Sequence, residues 1–240
     1  MIPSEVDNED FKRRYSRQIA IPEIGLEGQK KIARSKVIII GAGALGSMVA
    51  MQLAGAGVGV LGIADFDNVE ISNLQRQFFF STQEAGTPKV DIVAKRISAI
   101  NPSVKVNSYR QLMGENEARN IFPTYDFIVD ATDNPDSKRM IDRVAKESYL
   151  PCCIAGVRDF SGQVITIMPD NIRFHDIFGD SDPEGFLPCS LGGVGGPAAA
   201  LCASVQAGEV IKYMTDAGAL LNGKLFTFNL LTNSYSVFML

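Results

Sequence analysis

A glycine-rich turn between a predicted strand and a predicted helix constrains the fold of this chain more than any other feature. The strand is a short β-branched run at 36–40, and the helix is a stretch of small residues at 44–56. The turn between them reads Gly41-Ala42-Gly43-Ala44-Leu45-Gly46. At a strand-to-helix junction, such a turn is typical of α/β folds that rest a nucleotide or its phosphates on the N-terminus of the helix.

Strand and helix signals alternate along the following stretch of the chain. We expect strands at 58–64, 104–108, 127–129 and 152–155, and an amphipathic helix at 88–100 with a proline in its first turn. Strands separated by helices predict a Rossmann-like, doubly wound, mainly parallel α/β sheet. After Gly162 the spacing changes, and strands at 163–168, 224–229 and 234–238 are expected to continue the sheet in antiparallel fashion in the C-terminal half.

Length and composition favour one compact domain over residues 1–240. At 46% hydrophobic residues the chain can bury one full core, and neither a linker-like stretch nor a run of like charges marks a boundary. We expect a helical arm at about 8–34, a nucleotide-binding half at about 35–160 and a C-terminal half at about 161–240.

The charge pattern and the cysteines exclude several classes of protein. A net charge of −4, without long blocks of one sign, gives no footprint for nucleic acid. No apolar run approaches the roughly 20 residues that span a bilayer, and the first ten residues do not resemble a signal peptide. Four cysteines in a chain of this length form no disulfide framework. We therefore expect a cytoplasmic protein that binds neither nucleic acid nor membrane.

Acidic residues follow two of the predicted strands, where ligands bind in open α/β sheets. Asp65 follows the second strand, near the spacing of about 20 residues from the first glycine at which a carboxylate accepts hydrogen bonds from a ribose. Asp130 and Asp133 follow the fourth strand. So far a nicotinamide cofactor fits equally well. Arg76 and Lys89 favour ATP instead, because a departing pyrophosphate needs cations, and Asp133 is the natural Mg²⁺ ligand.

Seven short motifs in this order resemble the ThiF/MoeB/HesA family, relatives of the ubiquitin-activating enzymes. They are Arg14-Tyr15-Ser16-Arg17-Gln18, the glycine turn, Asp65-Phe66-Asp67, Ser72-Asn73-Leu74-Gln75-Arg76-Gln77, Pro88-Lys89, Asn101-Pro102 and Thr132-Asp133-Asn134. The resemblance runs from about Arg14 to the C-terminus. Members of this family adenylate the C-terminal Gly-Gly carboxylate of a small ubiquitin-like sulfur carrier, which then receives sulfur for thiamine or molybdopterin synthesis.

The resemblance implies a single adenylation domain with a defined set of site residues. Arg17, Arg76, Lys89, Asp133 and Cys189 would take part in the reaction, with Mg²⁺ at Asp133 and Arg17 reaching into the partner subunit of a homodimer. The residues expected to bind ATP are Gly41, Gly43, Ala44, Gly46, Asp65, Asp67, Ser72, Asn73, Gln75, Arg76, Gln77, Lys89, Asp133 and Asn134.

Cys189 stands in a segment with four glycines between it and Pro197, ahead of a helix expected at 197–215. The segment resembles the crossover loop in which family members place a reactive cysteine. A thiol there could attack the acyl-adenylate or accept sulfur from a cysteine desulfurase or another donor. Adenylation itself does not need this thiol, so an inert Cys189 stays open.

The chain departs from the family pattern in its metal ligands. Many members carry two Cys-x-x-Cys pairs for zinc, but 170–188 contains no cysteine, and the chain stops at Leu240. Cys152 and Cys153 are neighbours on a strand and point to opposite faces, so we expect no zinc. The C-terminal strands would then be held by apolar side chains, for which the candidates are Phe226, Phe228, Tyr235 and Val237.

The sequence leaves the pathway and several alternative functions open. The short chain slightly favours the thiamine branch over the molybdopterin branch. A relative that activates a carboxylate on modified tRNA, a plain NAD-binding redox protein and a catalytically idle interaction module are the alternatives. Taken alone, Asp65 and Asp133 could also be plain helix N-caps. Cys202 is expected in the core, and a catalytic role for His175 is not expected.

Overall fold

The computed structural model describes residues 8–179 and 192–240. Its helices are α1 Glu9–Arg14, α2 Ser16–Ile19, α3 Gly25–Arg34, α4 Gly46–Ala56, α5 Lys89–Ile100, α6 Glu115–Ile121, α7 Pro135–Glu147, α8 Phe174–Phe178 and α9 Gly196–Thr215. Its strands are β1 Lys36–Ile40, β2 Val60–Ala64, β3 Lys105–Tyr109, β4 Phe127–Asp130, β5 Cys152–Arg158, β6 Ser161–Ile167, β7 Lys224–Asn229 and β8 Ser234–Met239. No helix among these residues has both the length and the apolar character needed to cross a bilayer.

These strands form one eight-stranded sheet in the order β3-β2-β1-β4-β5-β6-β7-β8. The first five positions pair in parallel, and β6, β7 and β8 extend the sheet in antiparallel fashion. The predicted Rossmann-like fold with an antiparallel continuation is confirmed. The strand order reverses between β1 and β4, and such a switch point is where open α/β sheets bind their ligands.

Apolar side chains cover both faces of the central strands. On one face, β1 and β4 pack with α4, α5 and α9, and on the other they pack with α6 and α7. Burial on both faces explains why β1 reads as the uninterrupted β-branched run Val37–Ile40. Cys153 and Cys152 fall on these opposite faces, as predicted, and Cys202 is buried in the core.

Several element boundaries differ from the predictions by one or two residues. β2 begins at Val60 because Gly57 ends α4 in a left-handed conformation, and the Val58 N–H bonds back to the Leu53 carbonyl. The glycine turn delays the start of α4 to Gly46. Pro88 lies at the N-cap of α5 and precedes its first turn.

The prediction for the C-terminal strands is wrong for Tyr235 and Val237. Phe228 is buried and Phe226 is partly buried, whereas every residue of β8 is exposed. The physical reason is position, because α9 packs against β5 and β6 while β8 pairs with β7 on one side only, at the edge of the sheet.

Candidate active site

A cleft of about 710 Å³ opens at the carboxyl ends of β1, β2 and β4, at the switch point of the sheet. This volume lies within the range of small-molecule sites, about 300–1,000 Å³. The cleft has two parts. Its parallel half is lined from the ends of β1, β2 and β4, and its antiparallel half is lined by side chains of β5, β6, β7 and β8.

The glycine turn forms one wall of the parallel half. Gly41 has φ +96°, and an added Cβ would stand 2.7 Å from the Ala131 carbonyl oxygen. At Gly46 an added Cβ would lie 1.8 Å from the Gly41 carbonyl oxygen, so the turn closes only without side chains here. Helix α4 starts behind the turn, and its Ser47 N–H donates to the Gly43 carbonyl at 3.2 Å. No side chain caps the other N–H groups of this first turn, which suits an anion.

Asp65 ties the end of β2 to this turn. Its Oδ2 accepts the Ala42 N–H at 2.6 Å, and its Oδ1 accepts the Asp67 N–H at 2.7 Å. Burial raises the pKa of Asp65, and these two N–H groups lower it in part. Each oxygen keeps a lone pair that a ribose hydroxyl could use. Asp65 is therefore part of the cleft wall and not a helix N-cap.

Two of the predicted cations line the same half of the cleft. Lys89 is only 4% exposed, and its Nζ donates to Asp67 Oδ2 at 2.8 Å. Arg76 donates to the Ser72 carbonyl at 3.3 Å. Gln77 is buried beside them, and its Oε1 has no hydrogen-bond partner within the described part of the chain. These groups surround the N-terminus of α4 with positive charge and unused polar atoms.

The turn after β4 separates the two carboxylates that follow this strand in the sequence. Asp133 is exposed and lines the cleft. Asp130 is fully buried, and its Oδ1 accepts the Thr132 N–H at 2.9 Å and the Thr132 Oγ1–H at 2.6 Å. The N-cap of α7 is Asn134, whose Oδ1 accepts the Ser137 N–H at 2.8 Å. Asp133 is thus neither a cap nor a core residue.

Asp133 fits a Mg²⁺ ion that is shared with a nucleotide. Across residues 8–179 and 192–240, no three His, Cys, Asp or Glu side chains come together as a metal site. Mg²⁺ commonly binds through one or two carboxylates, substrate phosphates and water, so one exposed carboxylate in a cleft lined by cations satisfies the protein's share.

The cleft brings together ten of the predicted site residues. They are Gly41, Gly43, Ala44, Asp65, Asp67, Arg76, Gln77, Lys89, Asp133 and Asn134. Gly46 shapes the turn from behind, and Ser72, Asn73 and Gln75 lie next to the lining residue Arg76 without lining the cleft themselves. Cys189 lies outside the described residues.

Comparison with known proteins bears on this arrangement. The profile of the ThiF family matches residues 15–240. The chain belongs to the ThiF family. Because the match includes the glycine turn and all the motifs that line the parallel half, it argues against a plain NAD-binding redox protein.

Relatives with curated names match most of the length of this chain. The probable adenylyltransferase/sulfurtransferase MoeZ of Mycobacterium tuberculosis is 35% identical over 239 residues, which are 97% of this chain and 61% of that protein. This ThiF-family chain thus spans about three fifths of its mycobacterial relative. The sulfur carrier protein adenylyltransferase of Thermus thermophilus is 34% identical, with 92% of this chain and 84% of that protein covered.

Solved structures show the same fold. The crystal structure of PaaA matches with a TM-score of 0.79 and 25% identity, over 99% of this chain and 76% of that chain. The structure of Escherichia coli MccB with ATP matches with a TM-score of 0.83 and 20% identity, over 99% and 74%. At 20% identity, the second likeness concerns the fold alone.

Arg17 of this ThiF-family chain does not line its own cleft. It lies on α2, where the neighbouring Gln18 donates to the Ala56 carbonyl at 3.1 Å, at the C-terminal end of α4. The cleft lies at the other end of α4, about 16 Å away for a helix of this length. Tyr15 fixes the arm further, because its hydroxyl accepts the Asn101 Nδ2–H at 2.7 Å. An arginine side chain held there lies away from the glycine turn and does not line the cleft.

Sequence reasoning missed the apolar side chains at the mouth of the cleft and the whole antiparallel half. Phe66 and Leu112 line the mouth while 60% and 64% exposed, which suits two sides of a flat base. The antiparallel half is lined by Arg158, Ser161, Gln163, Thr227, Asn229, Ser234 and Ser236. The alternation of serine with apolar residues in β8 hints at one polar face, but a single sequence does not show which face meets the cleft.

Proposed function

We propose that this chain is a Mg²⁺-ATP-dependent adenylyltransferase that activates the C-terminal carboxylate of a ubiquitin-like sulfur carrier protein ending in Gly-Gly. The observation that carries the proposal is the continuous cleft of about 710 Å³, with a charged parallel half and an almost uncharged antiparallel half beside it. Relatives named as adenylyltransferases support the activity, and one is named a sulfur carrier protein adenylyltransferase. In this proposal residues 1–240 act as one adenylation domain in the cytoplasm.

The parallel half binds ATP in this proposal. Phe66 and Leu112 hold the base, Asp65 accepts the ribose hydroxyls, and the glycine turn with the first N–H groups of α4 holds phosphate. Arg76 and Lys89 face the phosphates that depart as pyrophosphate. Asp133 would hold Mg²⁺, which supplies further positive charge on the phosphate oxygens when it is bound.

The chemistry requires charge placement and no general base. A carboxylate is already ionised at neutral pH, but it must approach an anionic triphosphate. One carboxylate oxygen attacks the α-phosphorus of ATP, the bond from that phosphorus to the bridging oxygen breaks, and pyrophosphate leaves with the electron pair. Arg76 and Lys89 offset the repulsion and stabilise the charge that builds on the leaving group.

The antiparallel half suits an extended peptide tail. Of the side chains that line it in the described structure, only Arg158 is charged, and the others offer hydroxyl, amide and apolar groups. Gly156 and Gly162 also line this half. A Gly-Gly tail has no side chains and is recognised through its backbone amides, for which neutral donors and acceptors along strands are appropriate partners.

Arg17 completes the site of a partner subunit in a homodimer. Its own cleft is out of reach because α2 is anchored at the far end of α4. In a two-fold symmetric dimer, each subunit would supply one arginine to the phosphates of the other. This arrangement makes adenylation depend on dimer formation.

Sulfur transfer would depend on Cys189. Burial raises the pKa of Cys152 and Cys153 well above its usual value and that of Cys202 to about 12, so these thiols stay protonated. A cysteine desulfurase or another donor would deliver sulfur after adenylation. Cys189→Ser should retain carrier-dependent pyrophosphate exchange and lose sulfur transfer, and full sulfur transfer by this variant would reject the role of Cys189.

The decisive experiment is ATP–pyrophosphate exchange with a panel of purified carriers ending in Gly-Gly, drawn from thiamine and molybdopterin synthesis. The same carriers without the last glycine are the matched controls. Exchange with one intact carrier, and none with its truncated form, supports the proposal and names the pathway. ATP binding without exchange for any carrier would point to an idle interaction module, and release of nicotinamide cofactor from the purified protein would overturn the proposal.

A further inference from the structure

Lys138 is a buried cation at the cleft that no motif singled out. It is 3% exposed, and its Nζ donates to the Thr132 carbonyl at 2.8 Å and to the Ala155 carbonyl at 2.8 Å. It also lies 3.4 Å from Asp130 Oδ1. An ammonium has three donors, so Lys138 has none left for a phosphate. Lys89 differs, since the described residues give its Nζ one partner, Asp67.

The partners of Lys138 belong to the end of β4, to the turn that follows it and to β5. Asp130 ends β4, Thr132 belongs to the turn that carries Asp133, and Ala155 lies in β5 where the antiparallel half begins. The carboxylate of Asp130 also accepts two hydrogen bonds from Thr132. Lys138 and Asp130 therefore hold the turn from both sides and fix its distance to β5.

The positive charge of Lys138 also compensates the buried carboxylate of Asp130. Asp130 is fully buried, and its Oδ2 has no hydrogen-bond partner among the described residues. Without the ammonium, Asp130 would be an unpaired buried anion. Such an anion draws the turn toward other donors, and this change moves Asp133.

We propose that Lys138 is a positioning residue that sets Asp133 on the nucleotide side and Ala155 on the acyl-substrate side, at the junction of the two halves of the cleft, without touching either substrate. The inference rests on the proposed function for its effect on turnover. Its effect on Mg²⁺-dependent ATP binding needs no carrier protein and is tested separately.

The experiment compares Lys138→Met, which keeps the length and removes the charge, with Lys138→Arg, which keeps the charge. The matched control is Arg173→Met, which breaks another buried ion pair, at 2.6 Å from Asp142 and outside the cleft. For each variant, calorimetry gives the ATP dissociation constant with and without Mg²⁺, and thermal unfolding gives the loss of stability. Exchange assays give kcat and KM for ATP and for the carrier.

For Lys138→Met we expect the Mg²⁺-dependent gain in ATP affinity and kcat each to fall about 10- to 100-fold, as for residues that orient a metal ligand. ATP affinity without Mg²⁺ should change less than about threefold, because Asp65 and the glycine turn are untouched. Lys138→Arg should recover part of the loss. Arg173→Met should lose stability and keep both the Mg²⁺-dependent gain and kcat.

Three outcomes would overturn the inference. One is a Lys138→Met protein with wild-type Mg²⁺-dependent ATP affinity, and another is an Arg173→Met protein with the same losses as Lys138→Met. If Lys138→Met does not fold, the double variant Asp130→Asn, Lys138→Met removes both charges and is expected to fold, since it leaves no buried anion. The third outcome that would overturn the inference is a wild-type Mg²⁺-dependent affinity for ATP in that double variant. If no carrier supports exchange, the Mg²⁺-dependent affinity for ATP measured by calorimetry still tests whether Lys138 positions Asp133.

Discussion

The two halves of the cleft differ in charge and in how the chain supplies their residues. The parallel half takes Asp65, Arg76, Lys89 and Asp133 from loops and a helix start at the ends of strands. The antiparallel half takes hydroxyl and amide groups from the strands themselves, where Ser234 pairs with Asn229 and Ser236 with Thr227 across β8 and β7. A triphosphate needs charges at fixed points, whereas an extended tail needs a row of neutral partners. Variants in the two halves should therefore affect different substrates.

The largest effect is expected at Asp133, in the parallel half. Asp133→Asn should lower pyrophosphate exchange by about a thousandfold or more, because losing a direct metal contact costs several kcal/mol in the transition state. The measurement is initial-rate exchange at saturating ATP. Asp136→Asn, three residues along on α7 and outside the cleft, is the control. Activity within tenfold of wild type would remove Asp133 from the reaction.

The next largest effect tests whether the parallel half needs Arg17 from a partner subunit. Arg17→Ala and Asp133→Asn should each be nearly inactive, and mixing them should restore up to about a quarter of wild-type activity per chain, because one site of each heterodimer carries neither lesion. Activity is measured after subunit exchange has been verified by mass spectrometry of the mixed dimers. Verified exchange without recovery, or a fully active monomer, would contradict the role of Arg17 in the partner subunit.

A smaller effect is expected in the antiparallel half. Replacing Ser234 and Ser236 together by alanine should raise KM for the carrier about 30-fold, at about 1 kcal/mol for each lost hydrogen bond, and should leave KM for ATP unchanged. Kinetic titrations of both substrates give the two constants. Ser204→Ala, on the exposed side of α9, removes a hydroxyl far from the cleft. A rise in KM for ATP instead would contradict the assignment of ATP to the parallel half and of the carrier tail to the antiparallel half.

The smallest effect concerns the stability of the antiparallel part of the sheet. The buried carboxylate of Glu209 on α9 accepts the Thr166 Oγ1–H at 2.6 Å and the Leu221 N–H at 2.7 Å, which ties α9 to β6 and to the connection before β7. We expect these hydrogen bonds, and not a zinc ion, to stabilise this part of the sheet. Chelation followed by Mg²⁺ addition should then shift the unfolding midpoint by less than about 1 °C, since loss of a structural zinc would remove about 10 kcal/mol or more. Elemental analysis that finds about one zinc per chain would contradict this account.

Local signals were sufficient for the parallel half of the fold. The β-branched run of β1 and the glycines that close the turn have conformational reasons that do not depend on distant residues. The glycine turn after β1 and the motifs after β2 and β4 therefore predicted ten residues that the cleft brings together. The prediction failed at β8, because whether Tyr235 and Val237 are covered depends on how far α9 reaches across the sheet.

The sequence by itself determined the parallel strands, the glycine turn and the charged character of the parallel half of the cleft, since each follows from a few consecutive residues. The sequence singled out Asp133 as the site carboxylate, and the tertiary structure showed why Asp130 stays out of the cleft, because packing brings Lys138 onto it. The tertiary structure also decided that Arg17 is held at the far end of α4 and that β7 and β8 offer a polar face to the cleft. Burial and strand pairing join residues that are distant in the chain, and periodicity in a single sequence carries no record of those partners.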